Sequence, residues 1–403
     1  MSLKKFLMGG LTWAGVSFSC LGATFTVTNT LDSGAGSFRQ AISDANATAG
    51  ANTITFNIPS SGVQTISILS SLPTITNSVI IDGTTQPSYA GMPLIDFNGA
   101  GRPGFLITAG NSTVRALIVR NCGTSSARSS GIVLSTNGSN VIAGCFIGTG
   151  ASGTNGGSQV ENFLDGITIA NSPNNMIGGT NASDRNVICG NAGSGIAISG
   201  PGATNNLIQG NFIGLNVTGA VGYPNGYGGI LSAANISISN APNNTIGGVV
   251  AGARNAIAGY ADGIRLTGLG ATGNQIQDNY IGTAPNGSAL PGGYNKYYYR
   301  GVWIVNAPSN TIGGAGSGAG SGAGNLISGT SYAITISGTN ANANVIQGNF
   351  IGTDVSGTST NDNYMGIYIS QGAQGTLIGG TVAGRAQCHF GQRLGRHLYL
   401  RLE

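Results

Sequence analysis

Charge is what this chain has least of: only 7% of its 403 residues are Asp, Glu, Lys or Arg. A chain so sparsely charged, with dense Ile, Asn, Ser and Thr, falls outside the charged class of disordered proteins. Histidine occurs twice, as His389 and His397, and carboxylates number 12, so acid–base chemistry has few candidates. The 71 glycines follow no Gly-X-Y period, which excludes a collagen-like chain. Past the N-terminus no apolar run is long enough to span a bilayer. The formal charge of +4 is confined to the two ends, in Lys4 and Lys5 and in Arg385, Arg393, Arg396 and Arg401. Without these six and Glu403 the body carries 10 basic residues (16 − 6) against 11 acidic (12 − 1). A nucleic-acid partner needs a basic stripe, and the body has none.

What the chain does have is punctuation. "MSLKKFLMGGLTWAGVSFSCLGATF" (Met1 to Phe25) opens basic, continues apolar and ends in small residues. That order predicts a secretory signal over residues 1–23, with cleavage at Ala23, and hence a secreted or cell-surface protein. Farther on the sequence repeats itself. "NVIAGCFIGT" begins at Asn140, "NLIQGNFIGL" at Asn206, "NQIQDNYIGT" at Asn274 and "NVIQGNFIGT" at Asn344, at spacings of 66, 68 and 70 residues. "NMIGG" at Asn175, "NTIGG" at Asn244 and Asn310, and "TLIGG" at Thr376 keep step with them. A Gly-Ile-x-Ile element or a near relative recurs at Gly166, Gly195, Gly229, Gly263, Gly301 and Gly366.

Short strands recurring between Gly and Asn predict a solenoid, in which no coil buries its isoleucines alone and stacked coils share one core. The pattern is expected to place about three N-x-I strands in each unit, each within a sub-unit of roughly 20–24 residues. Asn211, Asn279 and Asn349 hold one coil position and are expected to stack into an amide ladder.

These repeats resemble the right-handed parallel β-helix repeat proteins that bacteria secrete, over roughly Phe105 to Arg385. "GSFRQAISDANA" (Gly36 to Ala47) resembles in part the Cys-Ser-Leu-Arg-Glu-Ala segment that opens many of them. Here Gly36 stands for the cysteine, Phe38 for the leucine and Gln40 for the glutamate. The resemblance implies an all-β fold, with residues 24–104 as cap and first coils and 105–384 as β-helix repeats. Independently, Ser37 and Gln40 form a capping-box pair, and Phe38, Ala41, Ile42 and Ala45 fall on one helical face. A short capping helix there would cover the open end of the solenoid.

β-Helix enzymes generally act on polysaccharide, through carboxylates or bound Ca²⁺. The Asn-x-Asp, Asp-Asp, Gly-His-Gly and Arg-Ile-Lys signatures of polygalacturonase-like members are absent. Asp165 and Asp262 each precede the glycine of a Gly-Ile strand, with Arg265 close to the second. They are the candidates for catalysis, and turn formation before glycine is the ordinary alternative. No metal or other cofactor is indicated; "GGAGSGAGSGAG" (Gly313 to Gly324) contains no Asp and reads as a flexible loop, not a Ca²⁺ site.

Tyr227, Tyr299 and Tyr364 each stand two residues before a strand-opening glycine, in the same expected coil position about 14 Å apart at three coils of about 4.8 Å each. Tyr294, Tyr297, Tyr298 and Trp303 crowd the same region. Such rings suit a wet, sugar-like ligand, an extracellular polysaccharide or cell-surface glycan, and equally could shield strand ends. Cys122 and Cys145 are expected to stack on adjacent coils and to form a disulfide, which export permits.

The final stretch, residues 385–403, breaks the pattern with "RAQCHFGQRLGRHLYLRLE". Codons exist for Gln387 onward that, read one base later, give Asn-Val-Ile-Ser-Gly-Asn-Ala-Ser-Gly-Gly-Ile-Tyr-Ile-Ser-Gly. That string matches Asn186 to Gly200 at 11 of 15 positions. The expectation is a frameshifted tail that replaces the natural C-terminus and any anchor there. Without the tail the body has no histidine, which favours an exported binding or adhesion scaffold over a polysaccharide lyase or glycoside hydrolase.

Overall fold

The computed structural model describes residues 22–154, 160–226, 233–259, 261–290, 299–315, 322–380 and 388–389. The chain winds into a parallel β-helix, right-handed as the crossover rule requires, with three long sheets running its length. Among the described residues sheet 1 has 12 strands, sheet 2 has 11 and sheet 3 has 9, and their pairings are parallel. Each coil visits sheet 3, then sheet 1, then sheet 2. Ile196–Ser199, Leu207–Gln209 and Phe212–Ile213 make one such coil.

The periodicity differs from the sequence expectation. From Asn206 to Asn274 the chain passes through six strands, so one repeat unit makes two coils, not three. The reason is that the N-x-I motifs at Asn206 and Asn244 serve sheet 1, while those at Asn211 and Asn255 supply sheet 2 of the same two coils.

Each coil sends four aliphatic side chains inward. In one coil these are Ile236, Ile238, Ile246 and Ile257, all fully buried and each in register with an aliphatic neighbour above and below. Burial of each stabilises by about 1.5–3 kcal/mol. The corners need polar partners, and asparagines supply them. Asn140, Asn175, Asn206, Asn244, Asn274, Asn310 and Asn344 form one ladder before sheet 1, each Nδ2 donating to the next Oδ1 at 2.8–3.4 Å. A second ladder before sheet 2 contains the expected Asn211, Asn279 and Asn349, with Asn255 and Asn325 between them.

The outward side of sheet 2 explains the aromatic in "NFIGT". Phe146, Phe212, Tyr280 and Phe350 point away from the main core and are covered by Gly153, Gly219, Gly287 and Gly357 of the loops that follow. Three of those loops close as small hairpins, with antiparallel bridges Leu215–Gly222, Thr283–Ala289 and Thr353–Thr360.

At the N-terminal end lies helix α1 (Phe38–Ala47), whose buried face is Phe38, Ala41, Ile42 and Ala45. Phe38 packs at 5.6–6.5 Å, between ring centroids, against Phe56, Phe97 and Phe105. The capping box is half made. Ser37 Oγ accepts from the Gln40 amide at 3.2 Å, while the Gln40 side chain donates to Asp44. At the other end Cys388 and His389 pair with Phe350 and Ile351 in sheet 2. They hold the strand position that Val187–Ile188 hold farther back, where the shifted reading puts valine and isoleucine.

The expected Cys122–Cys145 disulfide is not formed; both thiols are free and fully buried, as is that of Cys189. Phe146 pairs with Ile118, so Cys145 aligns with Leu117, five residues before Cys122. The two cysteines occupy different coil positions, and their side chains stack on other residues.

Candidate functional site

The outer face of sheet 3 carries the chemistry. Toward the C-terminal end its strands are Ile264–Thr267, Arg300–Val305, Tyr332–Ser337 and Met365–Ser370. Parallel register aligns Arg265, Trp303, Thr335 and Tyr368 in one outward column, and Arg300, Tyr332 and Met365 beside it. Asp262, two residues before its strand, lies level with Arg300. Four coils at about 4.8 Å give a strip about 14 Å long from first to last strand.

Within the strip the Arg265 guanidinium lies 4.2 Å from the Trp303 ring centroid and that of Arg300 lies 3.9 Å from it. Arg300 also reaches Tyr332 at 5.9 Å, and Tyr332 packs on Tyr368 at 5.6 Å. Trp303 Nε1 donates to Ser337 Oγ at 3.2 Å, which fixes the indole plane. Asp262 Oδ1 accepts from the Arg300 amide at 2.9 Å and lies 3.8 Å from Arg300 Nη1. Burial pushes the Asp262 carboxyl up, against the Arg300 amide and the Arg300 and Arg265 charges. Burial likewise lowers Arg265, with Asp262 opposing and Arg300 reinforcing. Two guanidiniums face one carboxylate, so the strip carries a net positive charge. The Nε atoms of Arg265 and Arg300 are buried, so a carboxylate or hydroxyl oxygen would approach the strip through the Nη groups.

The structure thus brings together Asp262, Arg265 and Trp303, and adds Arg300, Tyr332 and Tyr368. Asp165 is elsewhere: its level passes through Ser194 and Ala234 before reaching Asp262, three coils or about 14 Å away. Its oxygens accept from the Ser194 amide at 2.8 Å and from Thr168 Oγ1 at 3.0 Å. The bond from the amide one coil on is the one Asp262 also makes, so both carboxylates serve the strand start. Among the described residues no cluster of three or more His, Cys, Asp or Glu is placed to hold a metal ion.

Tyr299 and Tyr364 hold equivalent positions three residues before Val302 and Ile367, as expected, but two coils or about 10 Å apart. Both are half-buried; Tyr299 borders a small void of about 30 Å³ with Arg300, Leu290 and Thr330, water-sized and too small for a sugar ring. Tyr227, Tyr294, Tyr297 and Tyr298 lie outside the described residues. In the coil expected to open at Gly229 the sheet 3 strand is Ile236–Ser239, with Asn235 in the place of the strand-opening glycine.

Tyr368, which the sequence reading missed, had a signal: it stands two residues after the strand-opening Gly366, the outward position that the expected Arg265 and Trp303 hold after Gly263 and Gly301. Tyr332 was hidden because Ala333 replaces the glycine of its strand.

No family model and no curated protein sequence matches the chain. Among solved structures it is similar to an alginate lyase from Paenibacillus sp. str. FPU-7, at TM-score 0.38 and 12% identity, covering 92% of this chain and 99% of that one. It is also similar to the A-module of the mannuronan C-5 epimerase AlgE6 of Azotobacter vinelandii, at TM-score 0.33 and 13% identity, covering 87% and 94%. At these values the fold rests on this chain's own strand register, and the site on its own residues. Among the described residues no helix is long and apolar enough to cross a membrane.

Proposed function

We propose that the protein is an exported β-helix that binds an extended glycan along the strip Arg265, Arg300, Trp303, Tyr332 and Tyr368. The observation that carries this reading is the stack of two guanidiniums on Trp303, continued over neighbouring coils by the Tyr332–Tyr368 pair. A polymer lying along the solenoid axis would meet an aromatic or cationic group on each of the four strands. Rings and guanidinium planes suit sugar faces and hydroxyls, and the net positive charge suits acidic polysaccharides. The N-terminal signal pattern supports delivery to the cell exterior, where such a scaffold serves adhesion. The test is a glycan array with wild type, Trp303→Ala and Tyr368→Ala. Retention of wild-type binding by both variants would sink the reading.

A second reading, a polysaccharide lyase or hydrolase, is favoured by Asp262. Its carboxyl, pushed up by burial, lies beside Arg300 within the same strip, where a proton donor or acceptor would meet a bound sugar. Polysaccharide cleavage by the wild type, lost in Asp262→Asn while binding persists, would establish this reading. Intact polymer after prolonged incubation with wild type leaves the binding scaffold.

A further inference from the structure

A groove of about 390 Å³ opens away from sheet 3, where the turns from sheet 1 to sheet 2 overhang the outer face of sheet 2. Arg185, Phe212, Arg254, Ala256, Asp278 and Pro285 line it, with Ala251 at its exposed mouth. Its volume lies within the range of small-ligand sites.

Two successive repeat units place the same arginine here, and they neutralise it differently. In the unit of Arg254 the guanidinium lies 4.2 Å from the Tyr280 centroid and holds both oxygens of Asp278, at 2.7 and 3.0 Å from Nη2. In the unit of Arg185 the guanidinium lies 4.3 Å from the Phe212 centroid, the same stacking on the equivalent ring. The residue aligned with Asp278 is Gly210. Arg185 Nε donates to the Gly210 carbonyl at 3.2 Å, and among the described residues no carboxylate is in ion-pair contact with Arg185. The groove is thus built around two half-buried guanidiniums and one carboxylate. Burial lowers Arg185, which agrees with a cation held in the wall without a counter-charge.

We propose that this groove is a second binding site, which takes a carboxylate-bearing sugar residue at Arg185 in the way that Arg254 takes Asp278. With Nε engaged by Gly210, the Nη groups remain to grip a carboxylate. The half-buried Pro285 and the exposed Ala251 offer apolar contact to the C–H face of the ring, which a simple inorganic anion would not use. The site is independent of the sheet 3 strip and does not rest on it.

The test is calorimetric titration of the full chain with D-glucuronate, D-glucose and inorganic phosphate. Glucuronate is expected to bind at least tenfold more tightly than either of the other two. Arg185→Gln, which retains a donor for the Gly210 carbonyl, should weaken glucuronate at least tenfold. Ala251→Glu, which sets a like charge at the mouth without touching the arginine, should do the same with an unchanged melting temperature. Trp303→Ala should leave glucuronate affinity as in wild type, which separates this site from the strip. Wild-type affinity in both groove variants overturns the proposal. Equal affinity for phosphate overturns the sugar assignment, and equal affinity for glucose overturns the role of the carboxylate.

Discussion

Replacing Asn255 by alanine removes an inner rung of the second asparagine ladder. Asn255 Oδ1 accepts from the Asn211 amide at 2.9 Å and from Asn211 Nδ2 at 3.0 Å. Its own Nδ2 donates to the Ile208 carbonyl at 2.7 Å and to Asn279 Oδ1 at 2.9 Å. All four bonds are lost in a site closed to solvent. Asn211 Nδ2 keeps the Ile177 and Gln209 carbonyls, but the buried Asn211 amide is left without the acceptor it had. The orphaned donor costs about 1–3 kcal/mol and each of the three other bonds a net 0.5–1.5, so about 2.5–7.5 kcal/mol in total is expected. Asn255→Asp should be worse at neutral pH, because it keeps the shape yet turns an acceptor toward two acceptors and buries a charge. Urea denaturation followed by circular dichroism reads both variants, with Asn340→Ala, whose side chain is exposed, as a control expected within about 0.5 kcal/mol of wild type. The reasoning fails if Asn255→Ala lies within about 1 kcal/mol of wild type, or if the aspartate is no worse than the alanine.

Four further outcomes are expected. Gly247→Ala should destabilise by about 2–5 kcal/mol in the same assay, because its φ is +84° and a Cβ there would sit 1.9 Å from the Gln277 carbonyl oxygen; a neutral result refutes the need for glycine in "NTIGG". Burial raises Asp165 above the ordinary 3.8, so the native state binds its proton more tightly than the unfolded state and stability falls as pH rises from that value through the folded one. Asp165→Asn escapes that cost, and its stability relative to wild type should therefore improve across the window; a difference independent of pH refutes this. Burial pushes the Cys145 and Cys189 thiols up to about 12 and raises Cys122 as well, so alkylation mapped by mass spectrometry should miss all three natively and reach all three in denaturant without reductant. Resequencing the gene should yield codons from Gln387 onward that encode the repeat one base later, and codons incompatible with that string would refute the frameshifted tail.

Much of this molecule is legible along the chain because a solenoid is nearly one-dimensional: each coil meets only its neighbours, so repetition in sequence becomes repetition in space. Ile236 and Ile238 inward, Asn211 and Asn279 at corners, and Phe38 with Ile42 beneath the cap all follow from local pattern and burial. The number of coils per unit did not follow, because "NTIGG" and "NFIG" look like similar strands yet belong to different sheets. That one ambiguity displaced every axial distance, and the same uncertainty of level made Cys122 and Cys145 look like neighbours.

The chain alone determined a stacked, nearly uncharged solenoid with a helical cap, since those features rest on periodicity and on local hydrogen-bonding chemistry. Only the tertiary structure decided which side chains share a face. Arg265, Trp303 and Tyr368 span more than a hundred residues of chain, and become one column only when strands pair in register. Arg185 and Arg254 likewise become two walls of one groove only after the coils stack, and a single Gly210 in place of an aspartate leaves one of them without a counter-charge. Long-range register converts a list of scattered cations and rings into a surface, and no window of sequence holds that information.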